Sequence, residues 1–163
     1  MCAVRLPRYP PLKHPHDKED GMVTQAQASN AAQTAQLLSE RFNRVFETFE
    51  TGDGLFSPDC FFDLNMPVWR FQIQGQEAFA SQLKAINRGP VRIDILRTVP
   101  ADSGFVTEHE EHQSVDGQDL SARRLWLCVV RDGRIVEVVG YCSGEWDEEL
   151  RARHAIEAPM IRP

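Results

Sequence analysis

Two short alternating stretches carry most of the chemistry that this 163-residue chain offers. Asp63 and Asn65 stand two residues apart in one, His109 and Glu111 two apart in the other. A strand sends side chains i and i+2 to the same face, so each pair shares a face. If both faces line one cavity, two carboxylates and an imidazole converge beside apolar walls. Desolvation there raises carboxylate pKa values and can split them into one acid and one base. Asp63 would activate a water held by Asn65, while Glu111, steered by His109, protonates a leaving oxygen. Asp63, His109 and Glu111 are therefore the candidate catalytic residues. A register off by one would turn Glu108, Glu110 and His112 inward instead. The plainer reading of His109-Glu110-Glu111-His112 is a solvated strand charged on both faces, as strands that resist edge pairing are. It is not a helical zinc motif, and a strand offers a metal two of these ligands at most, so no metal is expected.

Trp69-Arg70-Phe71, after the first stretch, is unusual for a loop. Its functional reading is a rim clamp, with Trp69 against a ligand and Arg70 on an anionic or carbonyl oxygen. The structural alternative is a tryptophan capping the bottom of the fold. Asn65, Trp69, Arg70 and Trp126 are taken as substrate-binding candidates, although Trp126 and Trp146 read most simply as core or dimer contacts. Arg123 and Arg124 lie on opposite faces of one strand, so at most one points inward and the other pairs with Glu108 or Glu110. Cys2, Cys60, Cys128 and Cys142 form no C-x-x-C pair and no finger-like spacing, which suggests free thiols in a reducing cytoplasm. The chain has no G-x-S-x-G, P-loop, dinucleotide fingerprint or aromatic-basic stripe. Cofactor-free chemistry is what remains.

The elements that must position these groups follow from periodicity. Leu38, Phe42, Val45, Phe46 and Phe49 make one helical stripe, with Gly52-Asp53-Gly54 predicted to stop it. Residues 60–65 read as a strand closed by Pro67, and 75–86 as a second helix with Phe79, Leu83 and Ile86 on one side. After Gly89-Pro90 the period falls to two. Strands follow from Val91, over 104–113, over 120–131 and over 134–142, turned at Asp116-Gly117 and Asp132-Gly133. Residues 147–155 read as a closing helix, acidic at its start and basic at its end. Helices come early and antiparallel strands late, an α+β order whose curled sheet leaves a pocket at its open end.

Composition bounds the rest. A net charge of −6 argues against nucleic acid as a partner, and no apolar run is long enough to span a membrane. Residues 1–22 are a Pro-rich stretch without a core of its own. The expected organisation is a flexible arm over 1–30, one domain over 31–155 and a tail over 156–163.

Several strings give the chain a family likeness: Phe49-Glu50-Thr51-Gly52-Asp53, Leu55-Phe56-Ser57-Pro58-Asp59, Gly75-Gln76-Glu77-Ala78, and Val130-Arg131-Asp132-Gly133-Arg134-Ile135 before Tyr141. They resemble the nuclear transport factor 2-like superfamily, in its SnoaL-like and limonene epoxide hydrolase-like groups. The resemblance implies a cone-shaped, curved antiparallel sheet wrapped around N-terminal helices, a cystatin-like α+β barrel. It implies Tyr141 as a pocket-lining, substrate-binding residue, and a homodimer paired through the outer sheet face. The ketosteroid isomerase base position falls on Leu64 and its second acid near Leu127, so that mechanism is not expected. Asn65-Met66-Pro67 is similar to the Asn-x-Pro of limonene epoxide hydrolase, with Asp63 at its water-orienting Tyr position. His109 and Glu111 stand where that family has Arg and Asp, and Gly140 stands at its remaining base. The expected function is cofactor-independent acid–base chemistry on a small apolar oxygenated molecule: epoxide opening, isomerisation, or polyketide or terpenoid cyclisation. The alternative is a non-catalytic small-molecule-binding or dimeric interaction module.

Overall fold

The computed structural model describes residues 25–86 and 88–158. The first 24 residues, which hold most of the arm and Cys2, and the last five residues of the tail lie outside them. Helix α1 runs Gln25–Thr48, so helical structure begins within the stretch assigned to the arm. Leu38, Phe42, Val45 and Phe46 bury its stripe, as the 3.6-residue period requires. The helix stops four residues before Gly52. Phe49 takes a left-handed φ of +59°, and its N–H bonds to Val45 O at 2.7 Å.

Six strands follow: β1 (Phe56–Asn65), β2 (Arg70–Gln74), β3 (Val91–Ala101), β4 (Gly104–Val115), β5 (Gln118–Arg131) and β6 (Arg134–Cys142). Helix α2 (Gln76–Ile86) lies between β2 and β3, and α3 (Glu148–Glu157) closes the described chain. They form one sheet in the order β2-β1-β6-β5-β4-β3. The sheet is mixed, because β1 runs parallel to β6. The long crossover through α2 and the β3–β4–β5 meander brings β6 back beside β1 in the same direction, which a hairpin cannot do. The stretch taken for a loop after β1 is an edge strand, with Phe71 opposite Leu64 and Arg70 opposite Asn65. Asp116-Gly117 and Asp132-Gly133 both carry positive φ at each residue, the geometry of tight hairpin turns. Asp147 caps α3, its carboxylate accepting from Leu150 N at 2.7 Å.

The inner face of the sheet closes on α1 and α2 through aromatic rings. Phe62 and Phe79 stack with centroids 4.0 Å apart, and Trp126 lies against Phe46 at 4.9 Å and Phe42 at 5.5 Å. Each large aromatic burial contributes on the order of 2–3 kcal/mol. Together they fill the middle of the cone.

Candidate functional site

Strand parity decides which groups reach the mouth of the cone. On β4 the inward set is Phe105, Thr107, His109, Glu111 and Gln113, and on β5 it is Ala122, Arg124, Trp126 and Cys128. His109 and Glu111 thus share the inner face, and Glu108, Glu110 and His112 face outward. On β1, however, the buried residues are Cys60, Phe62 and Leu64. Asp63 and Asn65 therefore stand on the outer face, beside Tyr141 of β6, which pairs with Asn65 in register.

The candidates accordingly split into two groups that the sheet keeps apart. Asp63 is bound by Arg70, Nε to Oδ1 at 2.9 Å and Nη2 to Oδ2 at 2.6 Å. Those hydrogen bonds hold the Asp63 carboxyl below its ordinary pKa. A carboxylate so engaged on the outer surface cannot meet a water held in the cone. Asn65 donates to Gly140 O at 3.3 Å. Trp69 sits at the β1–β2 turn, 73% exposed, and so caps no core; Tyr141 is also exposed. The expected convergence of Asp63 and Asn65 with His109 and Glu111 does not occur, because one residue of strand register reverses the face.

Inside the cone, His109 is fully buried. Its Nε2 accepts from Trp126 Nε1 at 3.4 Å, and its Nδ1 bonds to Asn43 Oδ1. That assignment makes the ring the neutral Nδ1–H tautomer. Asn43 Nδ2 in turn donates to Ser39 O at 2.8 Å, and Ser39 Oγ donates to Thr107 Oγ1 at 2.9 Å. Burial, with the Arg124 charge adding to it, pushes the His109 pKa down to about 3. Both ring nitrogens are occupied and the ring stays neutral, so His109 braces the floor and is not placed to exchange protons with a ligand. Trp126 lies beneath the floor as well. Its indole fills the space beside Gly140, where an added Cβ would stand 2.3 Å from Trp126 Cζ3. The base that the epoxide hydrolase resemblance puts at Gly140 has no room here.

Of several cavities, the one that Glu111 reaches has a volume of about 360 Å³ and is lined by Phe46, Phe49, Leu83, Ile86, Val91 and Gln113, with Arg88, Glu111, Arg124 and Glu145. Of the eight residues singled out from sequence, only Glu111 lines it. Glu111 Oε2 lies 2.8 Å from Arg124 Nε, each side chain 15% exposed. That Nε is shielded from water and makes no aligned hydrogen bond, so the pair is a charge contact that leaves Arg124 with donor capacity. Arg88 and Glu145 pair at the rim. Phe49 adds a second signal, since a bulky residue at positive φ costs about 1–2 kcal/mol and such strain clusters at ligand sites.

Sequence reasoning missed Arg124, although it had confined Arg123 and Arg124 to opposite faces. Arg123 is the outward one and binds Glu108 Oε1 at 2.6 Å. Arg124 pairs in register with His109, a partnership visible only once the β4–β5 hairpin is set at Asp116-Gly117. Phe49, Arg88 and Glu145 reach the site from three separate loops and gave no linear signal. Cys60 and Cys128 are buried thiols whose pKa values burial raises, to about 12 for Cys60, which leaves them inert. Among the described residues no group of three metal-ligating side chains gathers.

No family model and no curated protein matches the chain. Solved structures do. A nuclear transport factor 2-like protein from Anabaena variabilis superposes with a TM-score of 0.61 at 18% identity, covering 76% of this chain and 96% of that one. An epoxide hydrolase from M. tuberculosis, of the limonene epoxide hydrolase-like kind, gives 0.55 at 21% identity over 67% of this chain and 78% of its own. A candidate polyketide cyclase from Xanthomonas campestris gives 0.54 at 24% identity over 68% and 91%. The chain has the nuclear transport factor 2-like fold, three helices against a six-stranded mixed sheet among the described residues.

Proposed function

We propose that this nuclear transport factor 2-like chain binds a small, largely apolar, oxygenated molecule in its cone mouth and moves a proton on it without a cofactor. The observation that carries the reading is the Glu111–Arg124 pair, set 2.8 Å apart on the floor of a cavity whose walls are Phe46, Phe49, Leu83, Ile86 and Val91. Arg124 holds a carbonyl oxygen of the ligand. Glu111 takes the proton from the neighbouring carbon, and the negative charge that develops on the oxygen is stabilised by the guanidinium. The proton returns from Glu111 at a second carbon, or the enolate closes a ring. One carboxylate with one cation suits isomerisation or cyclisation. Epoxide opening needs a further group to activate water, and Asp63 stands on the other face. His109 acts here as a positioning residue only, and Asn65, Trp69, Arg70 and Tyr141 belong to the outer surface.

A non-catalytic binding module is the second reading, and one feature favours it. The cone below the mouth is filled by Phe42, Phe46, Phe62, Phe79 and Trp126, which leaves a shallow site. Turnover of β,γ-unsaturated cyclic ketones, followed by the absorbance of the conjugated product, separates the two. The enzyme reading expects turnover that Glu111→Gln lowers by about a hundredfold or more and that Asp63→Asn leaves unchanged. Binding by thermal shift without turnover would put the module first. Equal losses in both variants would sink the geometry argued above.

The outer face is proposed to meet a second copy of the chain. Val99, Val106, Leu127 and Val139 form one apolar row across β3 to β6, with Leu125 and Tyr141 beside it. Val99, Leu125, Leu127 and Tyr141 are all exposed. A self-complementary face of this kind suits a two-fold dimer.

A further inference from the structure

We propose that the cone mouth is built for a neutral group carrying one hydrogen-bond acceptor and one donor on the same carbon, a carboxamide being the simplest, and that it rejects carboxylates. The inference rests on the reading that the mouth is the ligand pocket and names the chemistry it selects.

Four charged side chains line the cavity, two of each sign: Arg88 and Arg124 against Glu111 and Glu145. Both pairs are already made, Arg124 with Glu111 on the floor and Arg88 with Glu145 at the rim. An anion reaching for Arg124 therefore arrives where a carboxylate is within 2.8 Å of the same guanidinium. Two negative charges would face each other in a cavity with aromatic and aliphatic walls, where screening is weak. A cation meets the mirror problem at Arg124. A neutral ligand avoids both.

The polar floor still has unmet capacity. Arg124 turns its Nε, shielded from water, to Glu111, which leaves the four Nη hydrogens of the guanidinium as donors for a ligand. Glu111, when ionised, is acceptor-only and has lone pairs beyond the one turned to Arg124. An acceptor on the ligand completes Arg124 and a donor beside it completes Glu111. A ligand with the acceptor alone desolvates Glu111 and leaves its remaining lone pairs unmet, with Arg124 its one partner, which is the stronger penalty. The walls, Phe46, Phe49, Leu83, Ile86 and Val91, call for an apolar body behind that head group.

Three probes of one shape separate the terms: 4-phenylbutanamide, 4-phenylbutanoate and 5-phenylpentan-2-one. The first carries acceptor and donor, the second a charge, the third an acceptor alone. Binding is read as Kd from amide shifts in 15N spectra, with Phe46, Phe49, Val91 and Gln113 as reporters. The amide is expected to bind at least about tenfold more tightly than either analogue. In Glu111→Gln the butanoate is expected to gain about tenfold on the amide, because the repelling charge is gone. The comparison in the unaltered protein stands without the variant, should Glu111→Gln fail to fold. Butanoate binding as well as the amide, or the ketone matching it, overturns the neutral donor–acceptor inference and leaves the pocket standing. No shift of the reporters with any probe overturns the pocket reading and this inference with it.

Discussion

His109 offers the sharpest test of the buried architecture, because its burial makes a signed prediction about pH. In the unfolded chain the imidazole titrates near its ordinary value of about 6.5. In the folded protein burial and Arg124 push it down to about 3. Between those values the unfolded state binds a proton that the folded state refuses, so stability rises with pH across the interval. Full stability from this residue is present above the unfolded value and is lost progressively as pH falls toward the folded one. Each pH unit within the interval is worth about 1.4 kcal/mol. From pH 7 to pH 5 the integrated loss is about 2 kcal/mol, most of it below pH 6.5.

The assay is urea unfolding at pH 7, 6 and 5, followed by tryptophan fluorescence, on the parent and on His109→Gln. With a slope of about 2 kcal/mol/M, the parent's midpoint falls by about 1 M over this range beyond any change in the variant. The other four histidines, His14, His16, His112 and His154, are present in both proteins, so their contributions cancel in the difference. The variant is expected to be less stable at pH 7, since Asn43 and Trp126 lose their partner, but its pH slope is flatter. Imidazole 15N shifts give an independent readout, the neutral Nδ1–H form persisting to pH 5. Parallel pH curves for the two proteins, or titration of His109 near 6.5, would refute the reasoning. The second result would also return His109 to the list of proton-transfer groups.

Two further outcomes follow from the same structure. Gly140→Ala drives a methyl against the Trp126 ring at 2.3 Å from Cζ3, so it is expected to cost about 2 kcal/mol in urea unfolding; an unchanged midpoint would mean the ring can retreat. Leu127→Glu puts a charge in the middle of the outer apolar row and is expected to convert a dimer into a monomer by light scattering with unchanged circular dichroism; a parent that is already monomeric defeats the proposed partner.

The fold was legible because its signals are local and repeated. The stripe from Leu38 to Phe46, the change of period after Pro90 and the two Asp-Gly turns each specify an element without reference to the others. Thr48 and Phe49 show where locality ends. The glycines after the helix were a good stop signal, but the chain leaves the helix earlier, with an aromatic residue in a conformation usually left to glycine. The parallel placement of β1 beside β6 is a tertiary fact, and no residue in either strand announces it. The candidate site depended instead on which face of β1 and of β4 turns inward. On β4 Val106 stands between Phe105 and Thr107 and charged or ionisable residues occupy both parities from Glu108 to His112, so the pattern left both registers open and the burial of Phe105, Thr107 and His109 decides between them. On β1 the run Cys60-Phe61-Phe62-Asp63-Leu64-Asn65 has three apolar residues at one parity and one at the other, and the structure buries the set of three, which turns Asp63 and Asn65 outward.

The exchange at the β5–β6 pair explains why the resemblance in fold does not carry its chemistry across. Trp126 and Gly140 are opposite each other in register, and the indole occupies the room that a side chain at 140 would need. A tryptophan there brings a ring N–H, which must find an acceptor when buried, and His109 Nε2 supplies it. That bond fixes the tautomer, the tautomer directs Nδ1–H at Asn43, and Asn43 commits its amide to Ser39 and the Thr107 hydroxyl. Each step follows from satisfying a buried polar group, and the sum is an imidazole with nothing left to offer a substrate. The chemistry displaced from that position has one remaining outlet on the inner face. Glu111 stands two residues beyond His109 toward the open end and is the only carboxylate that the β4 period turns inward among the described residues of that strand. Arg124 beside it is the cation that makes a charged floor tolerable under aromatic walls.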